Sequence, residues 1–284
     1  MNNPTELAVH QYLSKVKDAD SILSEEIIDQ ITSDVRTALI KQFVDKRDTK
    51  FRLRMSNIGR SYCQLWFDKN EPEKAIAPTT NFVINMMLGD IVEAIFKGLL
   101  KAAGVSYKDG EHVTLDLGDS GEIKGTPDII IDDMVDDIKS ASPWSYQNKF
   151  KDYETLADKD SFGYVAQLAG YAKAMGKKPN GWWVINKATG HFKHVSSNGK
   201  IDTNKFVVKT KQLIKDLETN KFRRCYEDVP ETYRKKPSGN RKLGIECSFC
   251  SYRHSCWPNL KERPSVVSQA QEPPMVCYTE LTNV

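Results

Sequence analysis

Apolar residues recur every four positions from Ile27 through Ile31, Val35 and Leu39 to Phe43. That is the spacing of one helix face, and Ser24 followed by Glu25 and Glu26 marks its start. The first fifty residues read as helical throughout. Residues 69–78 carry two prolines and no period, and read as a loop. A longer helix is expected from Thr80, its cap, to about Ala103, stopping at Gly104, with Ile84, Leu88, Ile91, Ile95 and Leu99 as its core face. The period then falls to two, and strands are expected at 112–117, 122–131 and 134–140. A helix over 160–175 ended by Gly176 follows, then a hairpin of 181–187 and 191–196 closed by Ala188-Thr189-Gly190, then a helix over 203–217. Beyond Pro258 the chain turns polar and Pro-bearing, as a tail would. This order predicts an α/β fold, a mixed β-sheet flanked by helices.

The 284 residues suffice for one sizeable core with extensions, expected as a helical region 1–50, a core domain 51–258 and a tail 259–284. No stretch approaches ~18 consecutive apolar residues, so no membrane span is expected. The N-terminal residues lack a basic region followed by an apolar one, and a cytoplasmic location is the expectation. Net charge is only +3, but its distribution is uneven. Between Lys221 and Lys242 there are eight Lys or Arg against three acids, Glu227, Asp228 and Glu231. Such a run is a solvated basic loop or an anion-binding surface, and charge alone does not choose.

The run from Gly125 to Lys139 holds the candidate chemistry. With Asp132-Asp133 as a two-residue hairpin turn, Ile131 pairs with Met134 and Asp128 falls opposite Asp137. Two carboxylates on one sheet face repel unless a cation lies between them, and carboxylates suit Mg²⁺ or Mn²⁺. Lys139, two residues beyond Asp137, projects from the same face and can position a water or stabilise charge on a phosphate. The alternative is a solvated acidic hairpin tip. Glu93 stands on the expected polar side of the long helix, one turn beyond Gly89, whose lack of a side chain lets another element come close. Gln167 and Tyr171, four apart on a predicted helix, face one way.

Taken in order, Gly89-Asp90-Ile91-Val92-Glu93, Gly125-Thr126-Pro127-Asp128, Asp137-Ile138-Lys139 and Gln167-Leu168-Ala169-Gly170-Tyr171 resemble the motifs of RecB-like PD-(D/E)xK nucleases. Many members of that branch carry histidine in the first motif; Glu93 is similar to the lambda-exonuclease type instead. The resemblance covers about residues 63–256 and implies a restriction-endonuclease-like core. It also implies that Asp128, Asp137 and the Ile138 carbonyl ligate Mg²⁺ or Mn²⁺, that Glu93 completes the shell, and that Lys139 orients the water. Gln167 and Tyr171 would support the lysine and the DNA.

Six cysteines without a secretory signal argue against a disulfide framework. Cys247, Cys250 and Cys256 form C-x2-C-x5-C, Cys63 stands far upstream, and Cys225 and Cys277 fit no pattern. Four thiolates suit a [4Fe–4S] cluster or a tetrahedral Zn²⁺. The spacing resembles the iron–sulfur nucleases of the AddB-like and CRISPR-associated types, which favours the cluster. Such a centre would join distant segments and hold the neighbouring basic stretch at the DNA. Trp257 and Tyr252 are candidates for packing beside it or for stacking on bases. The expected DNA-contacting set is Arg60, Tyr171, Arg234, Lys235, Lys236, Arg241 and Lys242. The expectation that results is an exonuclease acting on double-stranded ends or single strands in replication, recombination or phage DNA processing, alone, as a homo-oligomer or with a recombination partner. A CRISPR spacer-processing nuclease, a structure-specific endonuclease and a non-catalytic DNA-binding module are the alternatives.

Overall fold

The computed structural model describes residues 3–15, 23–45, 50–234 and 236–282, and the chain divides into two compact units, Met1–Gly59 with Thr79–Gln212, and Arg60–Pro78 with Leu213–Val284.

In the first unit, the hairpin at the acidic run forms in the register that a two-residue Asp132-Asp133 turn predicts. Strand β4 (Ile129–Ile131) pairs antiparallel with β5 (Met134–Ala141), with Ile131 opposite Met134 and Ile129 opposite Asp136. Asp132 and Asp133 both adopt left-handed backbone, φ 49° and 61°, the turn geometry that matches strand twist. A five-stranded mixed sheet is built around this hairpin. Its order is β1 (Tyr107–Asp109), β4, β5, β6 (Lys178–Asn186) and β7 (Phe192–Ser196), with β5 and β6 parallel and the other pairs antiparallel. The crossover from β5 to β6 carries α5 (Pro143–Asn148), α6 (Tyr153–Asp158) and α7 (Tyr164–Met175). The strand expected over 122–131 is interrupted, because Pro127 has no N–H for a ladder. Its first part, β3 (Glu122–Gly125), pairs instead with β2 (Val113–Asp116) in a separate ribbon.

Helix α1 (Pro4–Lys15) supplies Val9 and the long helix α4 (Thr80–Ala102) supplies Phe96 and Leu100 to one sheet face. There they meet Ile129, Ile131, Ile138, Trp183 and Phe192. The expected core face of α4 is corrected: Ile84, Leu88 and Ile95 are exposed, and the helix buries Ala94, Phe96, Gly98 and Leu100. Helix α4 is apolar nearly all round, so period alone could not select its inward face. Helix α2 (Glu25–Phe43), capped by Ser24 as expected, packs against α4 where Gly98 leaves room for Ile31.

The second unit joins two distant stretches of chain. Helix α3 (Tyr62–Asn70) comes from the first, and the end of α8 (Thr203–Glu218) opens the second. Four strands follow in the order β10 (Lys261–Pro264), β11 (Met275–Glu280), β9 (Lys236–Lys242) and β8 (Val229–Tyr233), all antiparallel. Two short helices, α9 (Ile245–Ser248) and α10 (Arg253–Cys256), lie between β9 and β10 in sequence. The stretch beyond Pro258, expected as a tail, thus contributes two strands. Tyr278 is fully buried there and donates a 2.7 Å hydrogen bond to Glu231, itself buried. Among the described residues no helix is long and apolar enough to cross a membrane.

Candidate functional site

Asp128 lies one residue before β4, and its carboxylate accepts a 2.8 Å hydrogen bond from the Ile138 N–H across the hairpin. Asp137 on β5 is fully buried. Lys139 extends back over both: its Nζ is 2.5 Å from Asp137 Oδ2, 3.9 Å from Asp128 Oδ2 and 3.4 Å from the Ile138 carbonyl oxygen. Lys139 Nζ sits on Oδ2 of Asp137, while Oδ1 is buried with no hydrogen-bond partner among the described residues. Burial lifts the Asp137 carboxyl well above the usual range, Lys139 opposing this and Asp128 adding to it. Burial works against the Lys139 charge too, but Asp137 and Asp128 outweigh it and hold the lysine cationic.

Glu93 reaches this cluster from α4, on the inward face and not on the polar side expected. It stands one turn beyond Gly89, where an added Cβ would meet Ser140 of β5 at 3.5 Å, and one turn before Phe96. Burial and the nearby Asp128 raise its pKa, while Lys97, 2.8 Å away, lowers it. Lys97 also pairs with Asp109 at 3.2 Å. Gln167 and Tyr171 do share a face of α7, joined by a 3.5 Å hydrogen bond from Gln167 Nε2 to the Tyr171 hydroxyl. The Tyr171 ring is buried against Gly125, where a Cβ would stand 2.8 Å from Cε1, and burial pushes its phenol up to about 12.

Three residues at this site escaped the sequence reading. Tyr164 opens α7, and Lys139 Nζ stands 5.4 Å from the centre of its ring. The spacing Tyr164, Gln167, Tyr171 is that of one helix face, a signal present in the sequence. Lys97 follows Glu93 by four, the usual ion-pair spacing. Lys149, over the same Tyr164 ring at 4.4 Å, had no local signal.

In the second unit, Cys63, Cys247, Cys250 and Cys256 line one cleft with Ser61, Tyr226 and Trp257. Cys225, which fitted no pattern, is not remote: its Sγ accepts a 3.0 Å hydrogen bond from the Cys63 N–H. Hydrogen bonding to Cys225 holds the Cys63 thiol down to about 6 against its burial. Tyr252 is buried, stacked on Phe67 at 5.0 Å and donating to Asp68 at 2.6 Å, so it has no face for a base. Trp257 packs beside the thiols, with the Arg224 guanidinium 3.8 Å from its ring centre. Among the described residues no three His, Cys, Asp or Glu side chains stand at metal-ligand geometry.

The expected DNA contacts separate into engaged and exposed groups. Arg241 is held by the Asp228 carboxylate at 2.5 Å, and Arg60 stands 3.6 Å from Asp68. Arg234 and Lys236 are exposed, Lys242 is half-buried on β9, and Lys235 lies outside the described residues. Glu231, counted in sequence as neutralising this stretch, is buried and accepts from Ser238, Asn240 and Tyr278.

No family profile and no curated protein matches the chain. A solved structure described as the crystal structure of SSO0001 is similar at 14% identity and a TM-score of 0.42, over 81% of this chain and 96% of that one.

Proposed function

We propose that the chain is a metal-dependent deoxyribonuclease with a PD-(D/E)xK core of the RecB-like type, acting as an exonuclease at DNA ends. The observation that carries this reading is the pocket of charge at the β4–β5 hairpin. Three oxygens, from Asp137, Asp128 and the Ile138 carbonyl, surround one ammonium within 3.9 Å. Two carboxylates thus face a single positive charge, and burying the excess negative charge is costly unless a second cation balances it. The donor set, all hard oxygens, fits Mg²⁺ or Mn²⁺ held by Asp128, Asp137 and the Ile138 carbonyl, with Glu93 close enough to sense Asp128. Such an ion supplies Lewis acidity toward a phosphate and lowers the pKa of a bound water.

The chain's own groups set the rest. Lys139, charged at neutral pH, turns from Asp137 to the scissile phosphate and its attacking water. Tyr164, its ring centre 5.4 Å from Lys139 Nζ, flanks that ammonium, and Gln167 and Tyr171 follow on the same helix, joined by their hydrogen bond. Removal of the lysine leaves two facing carboxylates with no balancing charge. The test is cleavage of end-labelled linear DNA and of a circular form of the same sequence, with Mg²⁺, with Mn²⁺ and with chelator. Metal-dependent loss of label from the linear form alone supports the exonuclease; equal cutting of circles supports an endonuclease, and no cutting in either metal removes the enzymatic reading.

For the second unit we propose that Cys63, Cys247, Cys250 and Cys256 hold a [4Fe–4S] cluster. Four soft donors around one cleft support a thiolate-ligated centre. Anaerobic protein should carry iron and acid-labile sulfide with broad visible absorption. Colourless protein with one equivalent of zinc would replace iron by zinc and keep the ligands.

A further inference from the structure

Lys149 follows α5, and its side chain turns inward. The residue is 6% exposed, and its Nζ has no hydrogen-bond partner among the described residues. Its surroundings are aromatic. The ammonium stands 4.4 Å from the ring centre of Tyr164 and 4.6 Å from that of Phe162, rings stacked on each other at 5.8 Å. Phe150 stacks on Tyr164 as well, at 5.7 Å. Lys139 approaches the same Tyr164 ring at 5.4 Å, so the ammonium of the candidate site and that of Lys149 share one tyrosine ring. Burial lowers the Lys149 pKa, and Asp160 opposes the shift. Two cation–π contacts offset part of the desolvation, yet the N–H donors remain unsatisfied. A methionine of similar length would pack there without that cost. The donors are set for an acceptor that the described chain does not provide.

Phe162 is the outermost ring, 52% exposed. It sits on a turn whose backbone is fixed: the Asp160 carboxylate accepts hydrogen bonds from the N–H groups of Gly163, Tyr164 and Val165 at 2.8–2.9 Å. Gly163, at φ 81°, also lies against Gly59 too closely for a side chain on either residue. A half-exposed side chain on a fixed turn changes rotamer without moving the backbone.

We propose that Lys149 is a phosphate-binding residue for a nucleic-acid strand, holding the phosphodiester beside the one addressed by Lys139, with Phe162 as its displaceable cover. The inference rests on the nuclease reading and adds to it a second contact on the same strand. Phosphate oxygens supply the missing acceptors and the missing negative charge together. Paired with Lys139, the contact fixes the register of the strand over the hairpin, a positioning role.

The test uses the full chain and its Lys149→Met, Lys149→Arg and Phe162→Ala variants, with a single-stranded oligonucleotide and a linear duplex. Affinity is measured across a salt series in chelator. Lys149→Met should reduce the slope of log affinity against log salt by about 0.7–0.9, the share of one phosphate, and Lys149→Arg should restore it. Without DNA, Lys149→Met should melt no lower than the parent protein. Acylation of Lys149 by an amine reagent, read by peptide mass spectrometry, should be slow in the parent, faster in Phe162→Ala and suppressed by DNA in that variant. An unchanged salt slope, a lower melting temperature that arginine does not rescue, or acylation indifferent to DNA would overturn the proposal and leave Lys149 a packing residue. The two readings fail separately. Cleavage by the parent with a silent Lys149→Met removes only the phosphate contact; a reduced slope without metal-dependent cleavage removes only the nuclease.

Discussion

Replacing Cys63 by serine removes the one thiol that the 60–78 segment brings to the cleft of the second unit. If the four cysteines share a centre, that thiol closes a loop of which roughly 50 residues lie in the second unit, the rest being the first unit, and such a cross-link removes about 4 kcal/mol of chain entropy from the unfolded second unit at 25 °C. For a unit of roughly 90 residues, at about 4–8 °C per kcal/mol, the melting temperature of that unit should fall by roughly 15 °C or more. Two controls frame the number. Cys277 sits on β11 outside the cleft, and its serine variant should melt with the parent. Cys225→Ser keeps an acceptor for the Cys63 N–H, 3.0 Å away in the parent, and should lose no more than ~1 kcal/mol. The assay is calorimetry on anaerobically prepared protein with metal analysis of each variant, resolving two transitions because a two-unit chain is not obliged to melt in one step. Cys63→Ser protein that keeps its full metal content and its second-unit transition would refute the reasoning.

Asp137→Asn and Lys139→Ala should each lower turnover by at least ~10²–10³-fold while DNA affinity in chelator changes little, because phosphate contacts dominate binding; single-turnover cleavage beside a binding isotherm checks this. Burial raises the pKa values of Asp137 and Glu93, so the folded metal-free protein binds protons more tightly than the unfolded chain. Its stability from these groups is full below the unfolded carboxylate values and falls as pH rises through the folded ones. Metal must displace those protons, so the acid limb of activity should lie above the ordinary carboxylate range and move down as Mg²⁺ increases; a limb indifferent to Mg²⁺ would contradict it. Gly125→Ala places a Cβ 2.8 Å from Met55 and from the Tyr171 ring, which should cost about 1–3 kcal/mol in thermal unfolding and displace Tyr171. An unshifted melt would show that this close approach is not kept in solution.

The parts of the fold that were legible in the sequence are those fixed locally. The Asp132-Asp133 turn sets its own register, and from it the opposition of Asp128 and Asp137 follows by counting. Helix ends at Ser24 and Gly176 were written in their caps. What was not legible depends on partners remote in sequence. Helix α4 is apolar on several faces, and only the sheet decides that Phe96 and Leu100 go inward and carry Glu93 with them. The strands at 261–264 and 275–280 lack strong alternation because their sheet buries few residues, Tyr278 chief among them. Cys225 follows no ligand spacing, since its neighbour Cys63 lies on a different segment. Lys149 was invisible for another reason: beside Lys151, and like it next to Phe150, it reads as one of two solvated lysines until its aromatic enclosure is seen.

The interrupted path of the second unit bears on how a newly made chain matures. At ~5–20 residues per second on the ribosome, the helix bearing Cys63 is synthesised roughly 10–40 s before Cys247 exists. The later part of the first unit, Thr79–Gln212, is translated inside that interval. Throughout it Phe67, which ends up buried, lacks the C-terminal residues that pack on it, among them Tyr252. A nascent chain therefore passes through a stage with a complete first unit and a helix whose Phe67 and Cys63 lack their C-terminal partners, the stage at which chaperones have their opportunity.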